Sequence, residues 1–140
     1  MDPLDIDRAL VTSLQALALA CPINWEGTPA DPSNTAVYCD VANIPGTAVA
    51  VTLGMGGEDE HVGVYQVDVV EPVVSGGGAT DEIIRQLYNH YIIGRSFMYN
   101  GVSVQVTGFQ RSSRRKDTNG ARNRVAASIF WRANLTRSTF

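Results

Sequence analysis

The chain has 140 residues and a mass of 15.1 kDa, which is the size of one domain. Hydrophobic residues make up 44% of it, but no apolar run reaches the ~20 residues that a membrane-spanning helix needs. The acidic start, MDPLD, is unlike a signal peptide. Two cysteines, Cys21 and Cys39, are too few for a disulfide framework and lack metal-ligand spacing. We therefore expect a small soluble, intracellular domain without a membrane partner.

The net charge of −3 conceals a strong asymmetry along the chain. Residues 1–84 carry one cation, Arg8, against thirteen carboxylates, whereas residues 85–140 carry ten cations against one carboxylate, Asp117. The two parts therefore have charges of −12 and +9. Such a division indicates contact with nucleic acid or between copies of the chain. The alternative is that both charges face solvent, where salt screens them beyond ~10 Å at 0.1 M.

The first predicted element is an amphipathic helix over about residues 3–20. Asp2 can cap its N-terminus, and Pro3 suits the first helical position. Its apolar stripe consists of Ile6, Leu10, Leu14 and Leu17. Short strands are predicted to follow, with an irregular Pro-rich stretch at 27–34 between the first two, at residues 23–25, 37–41 and 49–53.

Residues 54–61 (GMGGEDEH) are predicted to form a mobile loop before a strand over 62–70. Alternation places one set of side chains on one face of this strand, Tyr65, Val67 and Val69, and a second set on the other, Gln66 and Asp68. Glu71-Pro72 ends the strand, and a glycine-rich link follows at 75–78. Thr80 is predicted to cap a second helix over about 80–92 with the apolar positions Ile84, Leu87, Tyr88 and Tyr91.

The last part of the chain predicts a hairpin and a long final strand. Asn100-Gly101 is a strong hairpin signal between strands at 97–99 and 102–106. A long polar, mobile loop is predicted over 111–124, and the strand at 125–135 has one apolar face, Val125, Ala127, Ile129, Trp131, Ala133 and Leu135. This order predicts a single α+β domain over residues 1–140, with a mostly antiparallel or mixed β-sheet flanked by two α-helices.

No pattern of catalytic, metal-binding or cofactor-binding residues stands out. The only histidines, His61 and His90, are not in a catalytic or metal-ligand motif, so we predict that both are surface or boundary residues and that the chain is not an enzyme. The run 58–61 offers oxygen ligands but lacks the spaced pattern of a calcium loop. The glycines at 76–78 precede a helix, yet two acidic residues stand where a phosphate would bind. We predict no metal and no cofactor.

The segment 111–124 is the most informative local feature because it gathers six cations, Arg111, Arg114, Arg115, Lys116, Arg122 and Arg124. On nucleic acid they would give salt-dependent, sequence-independent contacts, since no aromatic residue is interleaved for base stacking. On protein they would dock an acidic surface of a neighbouring copy, such as Glu58, Asp59 and Glu60. A solvated loop is the third possibility.

In the order of these features the chain resembles the tail terminator proteins of long-tailed bacteriophages. The most specific part is GVYQVDV at 63–69, followed by Pro72 and Gly76 before a helix whose middle reads IIRQLY at 83–88. The hairpin YNGV at 99–102 and a terminal strand after a long loop complete the resemblance. Two alternatives stay open: a head–tail completion (neck) protein and a small nucleic-acid-binding accessory protein.

The resemblance implies a structural virion protein rather than a catalyst. Such a subunit would be assembled in the host cytoplasm as a hexameric ring at the head-proximal end of the tail. It would stop polymerisation of the major tail tube protein and present a docking surface to the head–tail connector. DNA would pass through the lumen without specific binding. A head-to-tail ring needs two complementary patches on each subunit, and the charges of −12 and +9 suit that requirement.

Overall fold

One β-sheet carries the two helices found in the described residues. The computed structural model describes residues 2–19, 21–25, 37–54, 56–72, 78–116 and 122–136. The elements in these ranges are α1 (Leu4–Leu17), β1 (Ile23–Asn24), β2 (Tyr38–Pro45), β3 (Val49–Ala50), β4 (Glu58–Pro72), α2 (Gly78–His90), β5 (Ser96–Tyr99), β6 (Val102–Arg111), β7 (Arg115–Lys116) and β8 (Arg122–Thr136). The predicted α+β class is confirmed. The Pro-rich stretch 27–34 and most of the glycine-rich link lie outside the described residues.

The sheet is built around the two longest strands. The strand order is β1-β2-β4-β8-β6-β5, with β3 added to β4 and β7 added to β8. β4 and β8 have 15 residues each and pair in antiparallel register from Glu58↔Thr136 to Pro72↔Arg122. The β1–β2 pair is parallel, and the other described pairs are antiparallel. The sheet is therefore mixed and mostly antiparallel, as predicted.

Alternation along β4 and β8 gives the sheet one core face. Tyr65, Val67 and Val69 are buried, which confirms the predicted inner face of β4. The predicted apolar face of β8 is also buried along its whole length, from Val125 to Leu135. Both helices contribute buried side chains to the same cluster. On the opposite face of β4 the Gln66 side chain donates a hydrogen bond to Asp68, so the polar positions lie outside the core as expected.

The first helix is shorter than predicted: it begins at Leu4 with Pro3, and not Asp2, at the N-cap position, although Asp2 still reaches the first turn from one residue further out. The Asp2 carboxylate accepts a hydrogen bond from the Leu4 N–H at 2.9 Å. The helix ends at Leu17 rather than near residue 20, because Ala18 adopts a left-handed conformation with φ of 54° and its N–H bonds to the Gln15 carbonyl. Near the other end, the buried Asp5 carboxylate accepts a hydrogen bond from the Asn100 side chain at 3.2 Å. This contact ties α1 to the predicted hairpin turn.

The second helix departs from the prediction at its N-terminus. It begins at Gly78, so Thr80 lies inside the first turn and is not the cap. The Thr80 N–H and hydroxyl both donate to the buried Glu71 carboxylate, at 2.9 and 2.8 Å. An N–H that the helix leaves without a partner is thus satisfied by a side chain from the end of β4. The prediction that Thr80 is the N-terminal cap of the second helix was wrong.

The buried stripe of α2 is also rotated relative to the prediction. Ile83 joins Ile84, Leu87 and, beyond the helix, Tyr91 in the core. Tyr88, predicted to be on the apolar stripe, is 54% exposed. Its ring packs edge-on against Phe109 of β6 at a centroid distance of 5.3 Å. Tyr88 therefore packs against β6 outside the core.

His90 links the C-terminal ends of the two helices. Its Nε2 lies 2.8 Å from the Ser13 carbonyl and therefore donates to it, while Nδ1 lies 3.3 Å from an Arg95 guanidinium nitrogen. Burial and the Arg95 cation lower the pKa of His90, although the hydrogen bond to Ser13 opposes them. The Ser13 hydroxyl also bonds the Tyr91 hydroxyl at 2.8 Å. His90 therefore bridges α1 and α2 from a half-buried position at the boundary of the core, where the sequence analysis expected it.

The close approach of β4 and β8 at Gly63 gives the first testable prediction. A Cβ on Gly63 would lie 2.5 Å from the buried Trp131 ring and 2.8 Å from the Ile44 carbonyl. We expect Gly63→Ala to lower the free energy of unfolding by about 1–3 kcal/mol, measured by urea denaturation. Gly78→Ala is the matched control, because no atom lies within 4 Å of that Cβ and alanine favours the helix. Equal stability of Gly63→Ala and the native protein would contradict this packing.

The capping contact between β4 and α2 gives a second prediction. Thr80→Val keeps the shape of the side chain but removes the hydroxyl that donates to Glu71. Because a buried carboxylate then loses a donor, we expect the free energy of unfolding to fall by about 1–3 kcal/mol. Thr80→Ser retains the hydroxyl and should lose less than half of that amount. If both variants unfold at the same urea concentration, the hydroxyl has no capping role.

Candidate protein–protein interface

The β4–β8 pair places the two predicted charged groups at opposite ends of the sheet. Glu58, Asp59 and Glu60 are the first residues of β4 and pair with the last residues of β8. We call them the acidic end. The first residues of β8 pair instead with the end of β4 and with β7. We call the six predicted cations in this region the basic end: Arg111, Arg114, Arg115, Lys116, Arg122 and Arg124.

The separation of the two ends follows from the register. Fourteen residue steps separate Glu58 from Pro72, which pairs with Arg122. At about 3.3 Å per residue this corresponds to ~46 Å along the strand. The nearest members are closer, because Arg111 pairs with Ala127, which pairs with Val67, seven steps or ~23 Å from Glu60. Side chains of a few ångströms cannot bridge that distance. The acidic and basic ends therefore cannot neutralise each other within one copy of the chain.

Strands occupy much of what the sequence predicts as two long loops. β4 begins at Glu58, so the acidic residues are strand residues and not part of a loop reaching His61. β6 extends to Arg111, β7 comprises Arg115–Lys116, and β8 begins at Arg122. Both predicted loops are therefore too long, because cross-strand hydrogen bonding to β8 extends the strands beyond their apolar stretches. Mobility of the parts of 54–61 and 111–124 that lie outside these strands stays a prediction.

Three cations of the basic end are engaged within the chain. Arg124 lies between two carboxylates on neighbouring strands, 3.2 Å from Asp40 and 3.0 Å from Asp68. Burial alone would lower the pKa of Arg124, but the hydrogen bonds to these carboxylates outweigh it and raise that pKa. Arg114 forms an ion pair with Asp81 of α2 at 3.2 Å.

Arg122 is the third cation with a partner inside the chain. Its guanidinium carbon lies over the Tyr38 ring, 5.2 Å from the ring centroid. Such cation–π contacts hold arginine side chains against a surface. Asp40 and Tyr38 belong to β2, Asp68 to β4 and Asp81 to α2. Sequence reasoning missed these partners, since nothing in the local pattern around them indicates contact with a segment more than 30 residues away.

The other three cations form the outward part of the basic end. Arg111, Arg115 and Lys116 are exposed, and none of them forms an ion pair with another described residue. They lie where β6, β7 and β8 meet, since Arg111 pairs with Ala127 and Arg115 with Arg124. Guanidinium groups in this state suit carboxylate or phosphate oxygens of another molecule.

The acidic end carries a second feature that the sequence analysis did not single out. Exposed apolar side chains surround it on β2, β3, β4 and the turn after β3: Ile44, Val49, Val51, Leu53 and Val62. We call these residues the apolar arm. Val49 pairs with Glu60, and the Val51 N–H bonds the Glu58 carbonyl, so the apolar and acidic groups are direct neighbours. Grouped exposed apolar residues are typical of contact surfaces.

Neither a metal centre nor an acid–base pair emerges from the described ranges. Alternation along β4 directs the side chains of Glu58 and Glu60 away from those of Asp59 and His61. No three described His, Cys, Asp or Glu side chains are grouped closely enough to hold a metal ion. A cleft of about 440 Å³ between α1 and β2 is lined by Asp7, Val11, Gln15, Trp25, Val41, Asn43 and Tyr65. This lining offers one carboxylate without a nucleophile beside a base. No helix in the described part of the chain has the length and apolar character for a membrane span.

The chain is similar to known proteins in both sequence and fold. A family model described as "Phage tail terminator protein" matches residues 5–131. One solved structure, which bears no functional name, has a TM-score of 0.77 and 21% identity, over 95% of this chain and 96% of that chain. Another, from the virion of a native gene transfer agent particle, has a TM-score of 0.53 and 12% identity, over 94% of this chain and 95% of that chain.

These comparisons differ in what they show. At such identities the two solved structures share the fold with this chain, and no curated protein matches its sequence. The family model, in contrast, spans nearly the whole sequence, including the GVYQVDV strand and both helices. The chain therefore belongs to the phage tail terminator protein family and is a structural, non-enzymatic component of the virion tail.

Proposed function

We propose that copies of this chain close into a head-to-tail ring on the end of the tail tube. The ring stops further addition of the major tail tube protein and presents a docking surface to the head–tail connector. The observation that carries the proposal is the separation of the acidic and basic ends by ~23 to 46 Å along the β4–β8 ladder. The family membership supports the proposed place of action, and the charge geometry supports the proposed mode of assembly.

A head-to-tail ring requires two different, complementary patches on each subunit. The acidic end and the exposed cations Arg111, Arg115 and Lys116 meet this requirement, because they cannot pair within one copy. In a ring each acidic end faces the basic end of the next copy. The same arrangement leaves no unpaired end once the ring closes, so growth stops at a fixed number of subunits. We expect that number to be six, as the family resemblance implies.

Charge and apolar surface have separate roles in this contact. Opposite charges speed the encounter and set its orientation, but they add little affinity at an exposed surface. The apolar arm beside the acidic end supplies area to bury, and burial of apolar surface is the main favourable term in association. We therefore assign the orientation of neighbouring copies to the charged residues and the strength of their contact to Ile44, Val49 and Val51.

The placement of the exposed cations also bears on the passage of DNA. Cations that face a neighbouring subunit are not available to phosphate groups in the lumen. Three of the six cations are already held by groups of the same chain. This arrangement favours free passage of DNA through the ring and weakens the alternative of a nucleic-acid-binding accessory protein.

Charge reversal tests the assembly mode. We expect Arg115→Glu with Lys116→Glu, and separately Glu58→Lys with Glu60→Lys, to reduce the species of about 91 kDa expected for six copies of the 15.1 kDa chain. Light scattering at low ionic strength measures this loss, which we expect to be at least tenfold at subunit concentrations near the midpoint of assembly. The variant carrying all four changes restores opposite charges between neighbours and should recover the ring.

Arg114 is left unchanged in these variants because it pairs with Asp81 within the chain. Arg85→Glu is the control for reversal of an exposed cation outside the two ends as defined, since its partner Glu82 is on the same helix and loss of such a surface pair costs little stability. If the fourfold variant fails to assemble while each variant unfolds like the native protein, the two ends are not each other's partners.

Tube growth tests the proposed termination. We expect addition of the chain to polymerising tail tube protein of the same phage to stop elongation, giving shorter tubes capped at one end in negatively stained electron micrographs. With the Arg115→Glu, Lys116→Glu variant, the tubes should reach the same length as tubes grown without any added chain. Tubes that continue to elongate past a bound native chain would contradict the proposed function.

A further inference from the structure

Cys21 and Cys39 are 18 residues apart in the sequence but lie side by side in the folded chain. Cys39 is on β2, and Cys21 stands just before β1, which runs parallel to β2. The Cys39 N–H donates to the carbonyl of Pro22 at 3.0 Å, which fixes the backbone next to Cys21. The two Sγ atoms are 3.4 Å apart. Both are free thiols.

This contact is close to the geometry of a disulfide bond. Sulfur atoms at 3.4 Å are in van der Waals contact, and a bond of about 2.05 Å requires a further approach of roughly 1.4 Å. The parallel pairing of β1 with β2 places Ile23 opposite Cys39, so Cys21 lies two residues before that partner, and the Cys39–Pro22 hydrogen bond holds the backbone between them. Because the sulfur atoms already touch across this pairing, rotation about the side-chain bonds is the movement that would bring them together.

The two thiols differ in access and acidity. Cys39 is fully buried in the core, whereas Cys21 retains 9% of its surface. The hydrogen bond from Cys39 lowers the pKa of Cys21. The same contact and burial raise the pKa of Cys39. Cys21 is therefore the less deeply buried of the two thiols and the one that more readily forms the reactive thiolate, so a reagent meets it first.

We propose that Cys21 and Cys39 are a redox-active pair that a small-molecule disulfide, such as oxidised glutathione, converts into an intrachain disulfide. Cys21 loses its proton to solvent, and its thiolate attacks one sulfur of the reagent. The reagent's S–S bond breaks, and one reagent thiol leaves with the electron pair. Cys39 then loses its proton and attacks the Cys21 sulfur of the mixed disulfide, which releases the second reagent thiol. Two protein thiols are oxidised and one reagent disulfide is reduced to two thiols.

The disulfide would act on the stability of the subunit. It closes the segment between residues 21 and 39 and joins the region after α1 to β2, which neighbours the central β4 strand. Closing a segment of this length restricts the unfolded chain and stabilises the folded one. A virion component leaves the reducing cytoplasm on release, so the pair would be reduced during assembly and oxidised afterwards. Only this timing rests on the proposed function; the chemistry does not.

The test uses the full-length purified chain incubated with oxidised glutathione at pH 8. We expect intact mass to fall by ~2 Da, corresponding to loss of two hydrogens, and both thiols to become unreactive to a maleimide added after denaturation. The midpoint of thermal unfolding should rise by roughly 5–10 °C and return after treatment with a reducing agent.

Single-cysteine variants identify the order of events. Cys39→Ala leaves the accessible thiol and should accumulate a mixed disulfide with one glutathione, without a rise of the unfolding midpoint. Cys21→Ala leaves the fully buried thiol and should stay unmodified in the native state. Two free thiols after prolonged incubation of the native chain, disulfide-linked dimers, or equal reactivity of both variants would each overturn the proposal. Light scattering of the oxidised and reduced chain separates this result from failure of the ring.

Discussion

The uninterrupted pairing of β4 with β8 is the constraint on which the rest of the structure depends. Fifteen residues of each strand stay in one register, and that register requires glycine at position 63, where Trp131 leaves no room for a side chain. Because the register is constant, alternation assigns every residue of both strands to one face. The inner face becomes the core on which α1 and α2 pack. The two ends of the ladder become the acidic and basic ends, held far apart by a rigid element.

Buried polar contacts attach the helices to this frame at specific positions. Asp5 bonds the hairpin residue Asn100, Glu71 caps α2 through Thr80, and His90 bridges to Ser13. A buried polar group without a partner is costly, so each contact penalises any other arrangement of the helices. Apolar packing would hold the helices on the sheet but would tolerate small shifts along it. In the ring that we propose, this precision would matter, since errors in shape accumulate around a closed ring.

The charge pattern also changes meaning once the fold is known. The sequence suggests one continuous basic loop opposed to an acidic half. In the structure, three of these cations form contacts within the chain. Arg124 contacts β2 and β4, Arg114 contacts α2, and Arg122 contacts β2. Arg111, Arg115 and Lys116 remain exposed at the meeting of three strands. An apolar arm adjoins the acidic end, which gives that surface the character of a contact site rather than a purely solvated edge.

The sequence by itself determined the features that repeat over short distances. The two-residue alternation at 65–69 and 125–135, the stripe of α1 and the Asn100-Gly101 turn are local patterns, and each predicted its element and buried face. The same local order, with GVYQVDV, was enough to indicate the family. Only the tertiary structure decided that Glu71 caps α2, that Arg124 lies between Asp40 and Asp68, that Tyr88 is exposed and that Cys21 meets Cys39. These contacts join residues from different elements, and their distances follow from strand order and register, which no local periodicity encodes.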